Sequence, residues 1–445
     1  MAWRRWALEV DRLMRVAPRT RILLTVLSLL VAVQAGMIAW SAWPRRKPSV
    51  AVFPAAPSNA VAWFQDARFG LFIHWGPISL LGTEISHSRQ DPRTRRDQAA
   101  SVLPEEYDQL YLRFNPTAFD AEEWVRLARS AGARYLVFVA KHHDGFCMHD
   151  SQLTEYKITR SPWARDPLAE LAQACRTAEL PLGIYYSAPD WHHPDFRTAQ
   201  YRRYNRYMRD QLAELLTAYG PVRILWFDVQ EEWPQDYEQH LLYEWIRGLQ
   251  PAILINDRLS PDTDFQVYEQ AVGEYENPKP WETCDTLGEQ WSFKPDDRIK
   301  TSAECIRLLA ACAGRGGNLL LNVGPMPTGE IEPRQVVVLE EIGNWLARYG
   351  ESVYGTSRGP LEPGPWGVST QAGDRVYLHM LDWVEDSILL PSPGRSILRH
   401  RVLTGGTADL RQNEQSLVLS IPAADRHPVD TIIMLELAKD GSGQP

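Results

Sequence analysis

Val222-Arg223-Ile224-Leu225-Trp226-Phe227-Asp228 is an apolar, β-prone run that stops abruptly at a carboxylate. A strand covered on both faces of a parallel sheet reads as such a continuous apolar run, not as an alternating one. A charge at its C-terminal tip lies where parallel barrels gather their chemistry, which makes Asp228 a candidate catalytic residue. The pattern recurs. Residues 69–73 run into His74, 135–140 into Lys141-His142-His143-Asp144, and 253–255 into Asn256-Asp257-Arg258. Several strands therefore deliver polar groups to one rim.

Between these runs lie segments with helical periodicity at 121–131, 166–178, 201–219 and 302–314. Strand-then-helix alternation implies parallel strands with helices outside. The candidate strands are 69–74, 134–141, 182–187, 222–228, 252–256 and 318–323. Six strands fall short of eight, so the expected fold is α/β, a (β/α)8-like barrel over 63–350 whose remaining strands are weak or irregular within 259–300. Beyond Glu351 the composition shifts to short β-prone runs at 375–380, 387–390, 416–421 and 431–437, separated by Gly, Pro and Asp turns. These predict a small C-terminal antiparallel β-sandwich over 351–440.

Residues 22–43 form an apolar stretch long enough to span a bilayer as a helix. Arg4, Arg5, Arg12, Arg15, Arg19 and Arg21 precede it, against Glu9 and Asp11; Arg45, Arg46 and Lys47 follow. The positive-inside rule then keeps the N-terminus in the cytoplasm and exports the body to the periplasmic or extracellular side. Residues 1–50 are thus expected to be a cytoplasmic leader and an N-terminal transmembrane helix that makes the membrane a partner, or, if cleaved, a signal segment that leaves the body secreted. The Pro- and Ala-rich 51–62 reads as a linker.

A net charge of −9 without a long basic run argues against nucleic acid as a partner. The chain holds 17 tryptophans, whose flat faces suit sugar C–H surfaces as well as a core. Five widely spaced cysteines, Cys147, Cys175, Cys284, Cys305 and Cys312, include no Cys-x-x-Cys and no zinc-ligand spacing. Their odd number leaves at least one thiol unpaired.

His142 and His143 point to opposite sides of a continuing strand, yet both face a pocket once the chain turns, as Gly145 permits. Histidines and carboxylates at strand tips also bind metals. His74-Trp75-Gly76 lacks a second histidine two residues on, and no further ligand set follows, so neither metal nor cofactor is expected. If the reaction is glycoside hydrolysis, Asp228 needs a second carboxyl group. Residues 259–290 offer Asp262, Asp264, Glu269, Glu274, Glu276 and Glu282. Chemistry alone leaves Glu269, Glu274 and Glu282 open.

Trp63-Phe64-x-x-x-Arg68-Phe69-Gly70-Leu71-Phe72-Ile73-His74-Trp75-Gly76, Lys141-His142-His143-Asp144-Gly145-Phe146, Gly183-Ile184-Tyr185-Tyr186-Ser187, Trp226-Phe227-Asp228, Asn256-Asp257-Arg258, Trp281-Glu282-Thr283 and Gly316-Gly317-Asn318-Leu319-Leu320-Leu321-Asn322-Val323-Gly324-Pro325 occur in this order. Together they resemble the α-L-fucosidases of glycoside hydrolase family 29. The resemblance implies an exo-acting retaining α-L-fucosidase that removes terminal α-L-fucose from glycans by double displacement. It makes Asp228 the nucleophile and, through Asp264-x-x-x-Tyr268-Glu269, Glu269 the acid/base, with Glu274 and Glu282 as alternatives. His74, Glu84, His142, His143, Tyr185, Trp226 and Arg258 become fucose contacts. The chain departs from the family pattern at Tyr268, where Pro is usual, at His87, where relatives tend to carry an aromatic residue, and at Val229, where Gly follows the nucleophile. A catalytically decayed fucose-binding protein on the same barrel is the alternative. These motifs fix neither the fucosyl linkage nor the oligomeric state.

Overall fold

The computed structural model describes residues 55–89, 102–229, 237–383 and 385–439. Among them are eight parallel strands: β1 (Phe69–Ile73), β2 (Leu136–Lys141), β3 (Leu182–Ser187), β4 (Ile224–Asp228), β5 (Leu254–Ile255), β6 (Gln266–Glu269), β7 (Trp281–Thr286) and β8 (Asn318–Val323). They pair in the order β5-β4-β3-β2-β1-β8-β7-β6. The two edges, β5 and β6, meet through one isolated bridge, Asn256 with Phe265. Asp264 stitches that seam: its N–H donates to Ile255 O at 3.1 Å, and its Oδ2 accepts from Ile255 N at 2.7 Å. The expected (β/α)8-like barrel is therefore realised as a curled parallel sheet with a seam and not as a fully laddered cylinder. β6 and β7 are the two strands expected within 259–300.

Every second residue of a strand faces the same way. Phe72, Val137, Tyr185, Trp226, Cys284 and Leu320 pack together inside the curl. Their neighbours Leu71, Phe138, Ile184, Leu225 and Leu319 pack outward with the surrounding helices. Trp226 and Asp228 thus share the inner face, while Leu225 and Phe227 anchor β4 outside. Gly70 is inner too, and a Cβ there would lie 2.4 Å from the Tyr135 ring, so the glycine makes room for that phenol. The helix Ser58–Ala67 contributes Ala60, Phe64 and Ala67 to the same inner cluster, and Asn318 Nδ2, at the start of β8, donates to Phe64 O at 2.8 Å. It caps the end of the sheet opposite the polar rim.

The helices start on local signals. Asp120 accepts from Glu122 N and Glu123 N, Asp166 accepts from Ala169 N, and Thr301 forms a capping box with Glu304. All four helices predicted from periodicity are present.

The C-terminal part forms two small antiparallel sheets. One runs Ile397–Val402, Thr431–Leu437, Arg375–Met380, Gly367–Ala372, Ser357–Arg358; the other runs Ser387–Pro391, Ser416–Ser420, Asp409–Gln412. Val376, Leu378, Ile433 and Leu435 of the first share a core with Leu390, Leu417 and Leu419 of the second.

The expectation of an N-terminal transmembrane helix needs correction. No helix among the described residues is long and apolar enough to cross a membrane. Residues 22–43, on which that expectation rested, lie outside the described residues. The fold class of the described residues is accordingly a curled parallel sheet with small antiparallel sheets, and among them no helix supports the expected membrane partner or anchored location.

Candidate active site

The C-terminal tips of the parallel strands surround one pocket of about 410 Å³, lined among others by His74, Glu84, His142, His143, Tyr185, Trp226, Asp228 and Glu269. Of the nine expected site residues, eight line it. Arg258, the ninth, reaches in from the residues after β5: its Nη2 is 2.8 Å from Glu269 Oε2 and its Nε 4.0 Å from Asp228 Oδ1. One guanidinium therefore faces both carboxyl groups, which stand on opposite sides of the seam.

Asp228 ends β4, where it is registered with Ser187 of β3. Its Oδ2 accepts from Tyr185 OH at 2.8 Å and lies 3.4 Å from His143 Nε2. Its Oδ1 has no hydrogen-bond partner among the described residues. Glu269 ends β6 with a side chain 40% exposed, against 11% for Asp228. A buried carboxylate beside a more open one suits attack from within and proton exchange at the mouth.

The turn after β2 turns both histidines into the pocket, and it needs its glycine. Gly145 sits at φ +78°, and a Cβ there would come within 2.3 Å of Asp190 Oδ1. Asp190 in turn holds Lys141 Nζ at 3.0 Å, a buried pair that fixes the end of β2. Burial pushes Asp190 upward, but Lys141 outweighs it and holds the carboxyl below its usual range.

Three of the pocket histidines are tied through Nδ1: His74 to Asn322 Oδ1, His142 to Ser86 Oγ and His143 to Ser187 Oγ, all at 2.6 Å. Burial lowers His74 and His143 to about 4 and His142 well below its ordinary value, so all three rings are neutral near pH 7. Glu84 accepts from Trp291 N at 2.9 Å and from Ser292 N at 3.3 Å, and burial raises its pKa against those donors. His142, Tyr185 and Trp226 stack in sequence, with centroids 5.4 Å apart at each step.

His142, His143 and Asp228 bring potential ligand atoms within 4.8 Å of one another. Arg258 already places positive charge beside Asp228, so the set suits sugar hydroxyls better than a second cation.

The two alternatives to Glu269 lie elsewhere. Glu274 does not line the pocket. Glu282, also not a lining residue, is fully buried on the inner face of β7, where it accepts from Trp226 Nε1 at 2.8 Å and Tyr135 OH at 2.6 Å. Sequence reasoning missed Trp291, whose ring lies 5.0 Å from that of His74 and lines the pocket. It also missed Ser86, Ser187 and Asn322 behind the histidines. The period-2 parity that places His74 above Phe72 marks an inner position, but nothing local marks Trp291.

A curled parallel sheet whose strand tips join two carboxyl groups, neutral histidines and an indole floor suits the two-carboxyl chemistry of a glycoside hydrolase. Residues 50–351 match the family model for alpha-L-fucosidase. The tissue alpha-L-fucosidase of Homo sapiens is 27% identical over 405 residues, covering 81% of this chain and 85% of that protein. The structure of alpha-L-fucosidase isoenzyme 1 from Paenibacillus thiaminolyticus superposes with a TM-score of 0.76 at 35% identity, covering 85% of this chain and 99% of that one. A Bacteroides thetaiotaomicron alpha-L-fucosidase, solved as a trapped covalent intermediate, gives 0.76 at 26% identity over 86% of this chain and 97% of its own. The chain belongs to the α-L-fucosidases of glycoside hydrolase family 29.

Proposed function

We propose that Asp228 is the nucleophile and Glu269 the acid/base of the exo-acting, retaining α-L-fucosidase reaction that family membership gives this chain. The observation that carries this assignment is Arg258, in contact with Glu269 and facing Asp228 in one pocket. An Asp228 oxygen attacks the anomeric carbon, and the glycosidic oxygen departs with the proton of Glu269. Water then gives a proton to Glu269 and attacks the same carbon, expelling Asp228 and returning the original configuration. Tyr185 and Arg258 stabilise the Asp228 carboxylate before attack and after its release. His74, Glu84, His142 and His143 meet the sugar hydroxyls, and the Trp226 face meets its apolar surface. Both carboxyl groups line the pocket, which favours an enzyme over a decayed binding protein on this scaffold.

The test is Asp228→Gly with an aryl α-L-fucoside. Activity is expected to fall by about 10⁴-fold or more, with partial rescue by azide. Glu269→Ala is expected to lose about 10²–10⁴-fold on poor leaving groups and less on activated aryl fucosides. Undiminished turnover in either variant overturns the assignment of that residue.

A further inference from the structure

The hydrogen-bond partners behind the pocket determine which nitrogen of each histidine carries the proton. A neutral imidazole has one donor and one acceptor nitrogen, so fixing Nδ1 fixes what Nε2 offers.

Asn322 donates its Nδ2 to Trp291 O at 2.7 Å, and a carbonyl can only accept. Its Oδ1 therefore faces His74 as an acceptor, and His74 Nδ1 must be the donor. Ser187 has one hydroxyl hydrogen, which goes to Pro189 O at 2.5 Å. Its oxygen can then only accept from His143, whose Nδ1 again carries the proton. Ser86 differs. Its Oγ already accepts from Asp144 N at 2.9 Å, and His142 Nδ1 at 2.6 Å is the one remaining partner among the described residues to which its hydrogen can go. His142 is thus left with its proton on Nε2. Ser86 is held for this task in a left-handed conformation, φ +66°, with its N–H on Tyr107 OH at 3.0 Å and that phenol on Asp144 Oδ2 at 2.5 Å. A non-glycine residue in that region persists only where its surroundings enforce it.

We infer that three of the pocket histidines are locked in two opposed neutral tautomers, with His74 and His143 presenting acceptor nitrogens and His142 a donor, and that Asn322, Ser187 and Ser86 are the positioning residues that set this pattern. A ring of hydroxyls can satisfy two acceptors and a donor only in a limited set of orientations, so the serines and the asparagine act on sugar selection without touching the sugar. The inference rests on the proposed function for its purpose, though not for its test.

The test is long-range ¹H–¹⁵N correlation on the full chain labelled at histidine, with signals assigned through His74→Gln, His142→Gln and His143→Gln. The expected result in the resting protein is protonated Nδ1 for His74 and His143 and protonated Nε2 for His142. A shared tautomer, or an imidazolium at any of the three, overturns the inference. Ser187→Ala should shift His143 alone to a mixture of tautomers and raise KM for an aryl fucoside about 10-fold with a smaller change in kcat, and Ser187→Thr should restore both. An unmoved His143 signal in Ser187→Ala overturns the role of Ser187. Opposed tautomers in a protein that hydrolyses no fucoside support this inference and count against the functional reading, so the two failures are separable.

Discussion

Trp226 donates its indole N–H to Glu282 Oε1 at 2.8 Å, so the floor of the pocket rests on a carboxyl group buried inside the sheet. Burial raises that carboxyl to about 7, against the donors Tyr135 and Trp226. An unfolded glutamate titrates near 4.3, so the native state binds the extra proton between these values. Stability from this group is complete below about pH 4 and is lost as pH rises through about 7, on the order of 3 kcal/mol in all. Thermal melts at pH 5 and pH 8 should show a smaller difference in Glu282→Gln than in the parent. The same variant should keep activity within about 10-fold, unlike the expected loss in Glu269→Ala.

Arg258 faces both carboxyl groups with a forked donor that an ammonium cannot copy. Arg258→Lys should lower kcat/KM for an aryl fucoside by about 10²-fold, and Arg258→Ala by more. Equal kcat/KM in Arg258→Lys and the parent would show that charge alone suffices.

Lys141 and Asp190 form a buried pair whose rupture leaves an uncompensated charge. Lys141→Met should destabilise the fold by about 3–5 kcal/mol in urea unfolding. The double variant Lys141→Met, Asp190→Asn should recover part of this, because the stranded carboxylate is gone.

Gly70→Ala sets a methyl against the Tyr135 ring, which has Glu282 and the capping helix around it. A loss of about 1–3 kcal/mol is expected, read as a lower melting temperature.

The sheet was legible where the strands are uniformly apolar. β1, β2, β3, β4 and β8 each end in, or run into, a residue that faces the pocket or supports one, so the apolar run and its polar end could be read together. β6 and β7 were not legible as strands. Trp281-Glu282-Thr283-Cys284-Asp285-Thr286 is polar at four of its six positions yet buried throughout, because its polar side chains find partners in the protein and not in water. The same fact explains why Glu282 stayed open as an acid: a buried glutamate and a catalytic one look alike until depth is known. The pocket lining was readable from motifs, whereas Ser86, Ser187 and Asn322 needed the distances. The membrane segment inferred from residues 22–43 lies outside the described residues, among which no helix is long and apolar enough to cross a membrane.

The seam between β5 and β6 has a mechanical meaning. Asp228 belongs to the run of strands that ends at β5 and Glu269 to the run that begins at β6, so Glu269 hangs from one free edge of the curl and Asp228 from β4, one strand in from the other. Their separation is not set by a continuous ladder. It is set by a handful of side-chain ties: Asp264 on Ile255 and Arg247, Asp257 on Val267 at 3.1 Å, and Arg258 on Glu269. Small adjustments of those ties change the gap into which the scissile bond must fit, while the strands on either side keep their register. The spacing of the reacting groups is therefore adjustable by mutation at a clasp of a few residues without rebuilding the barrel.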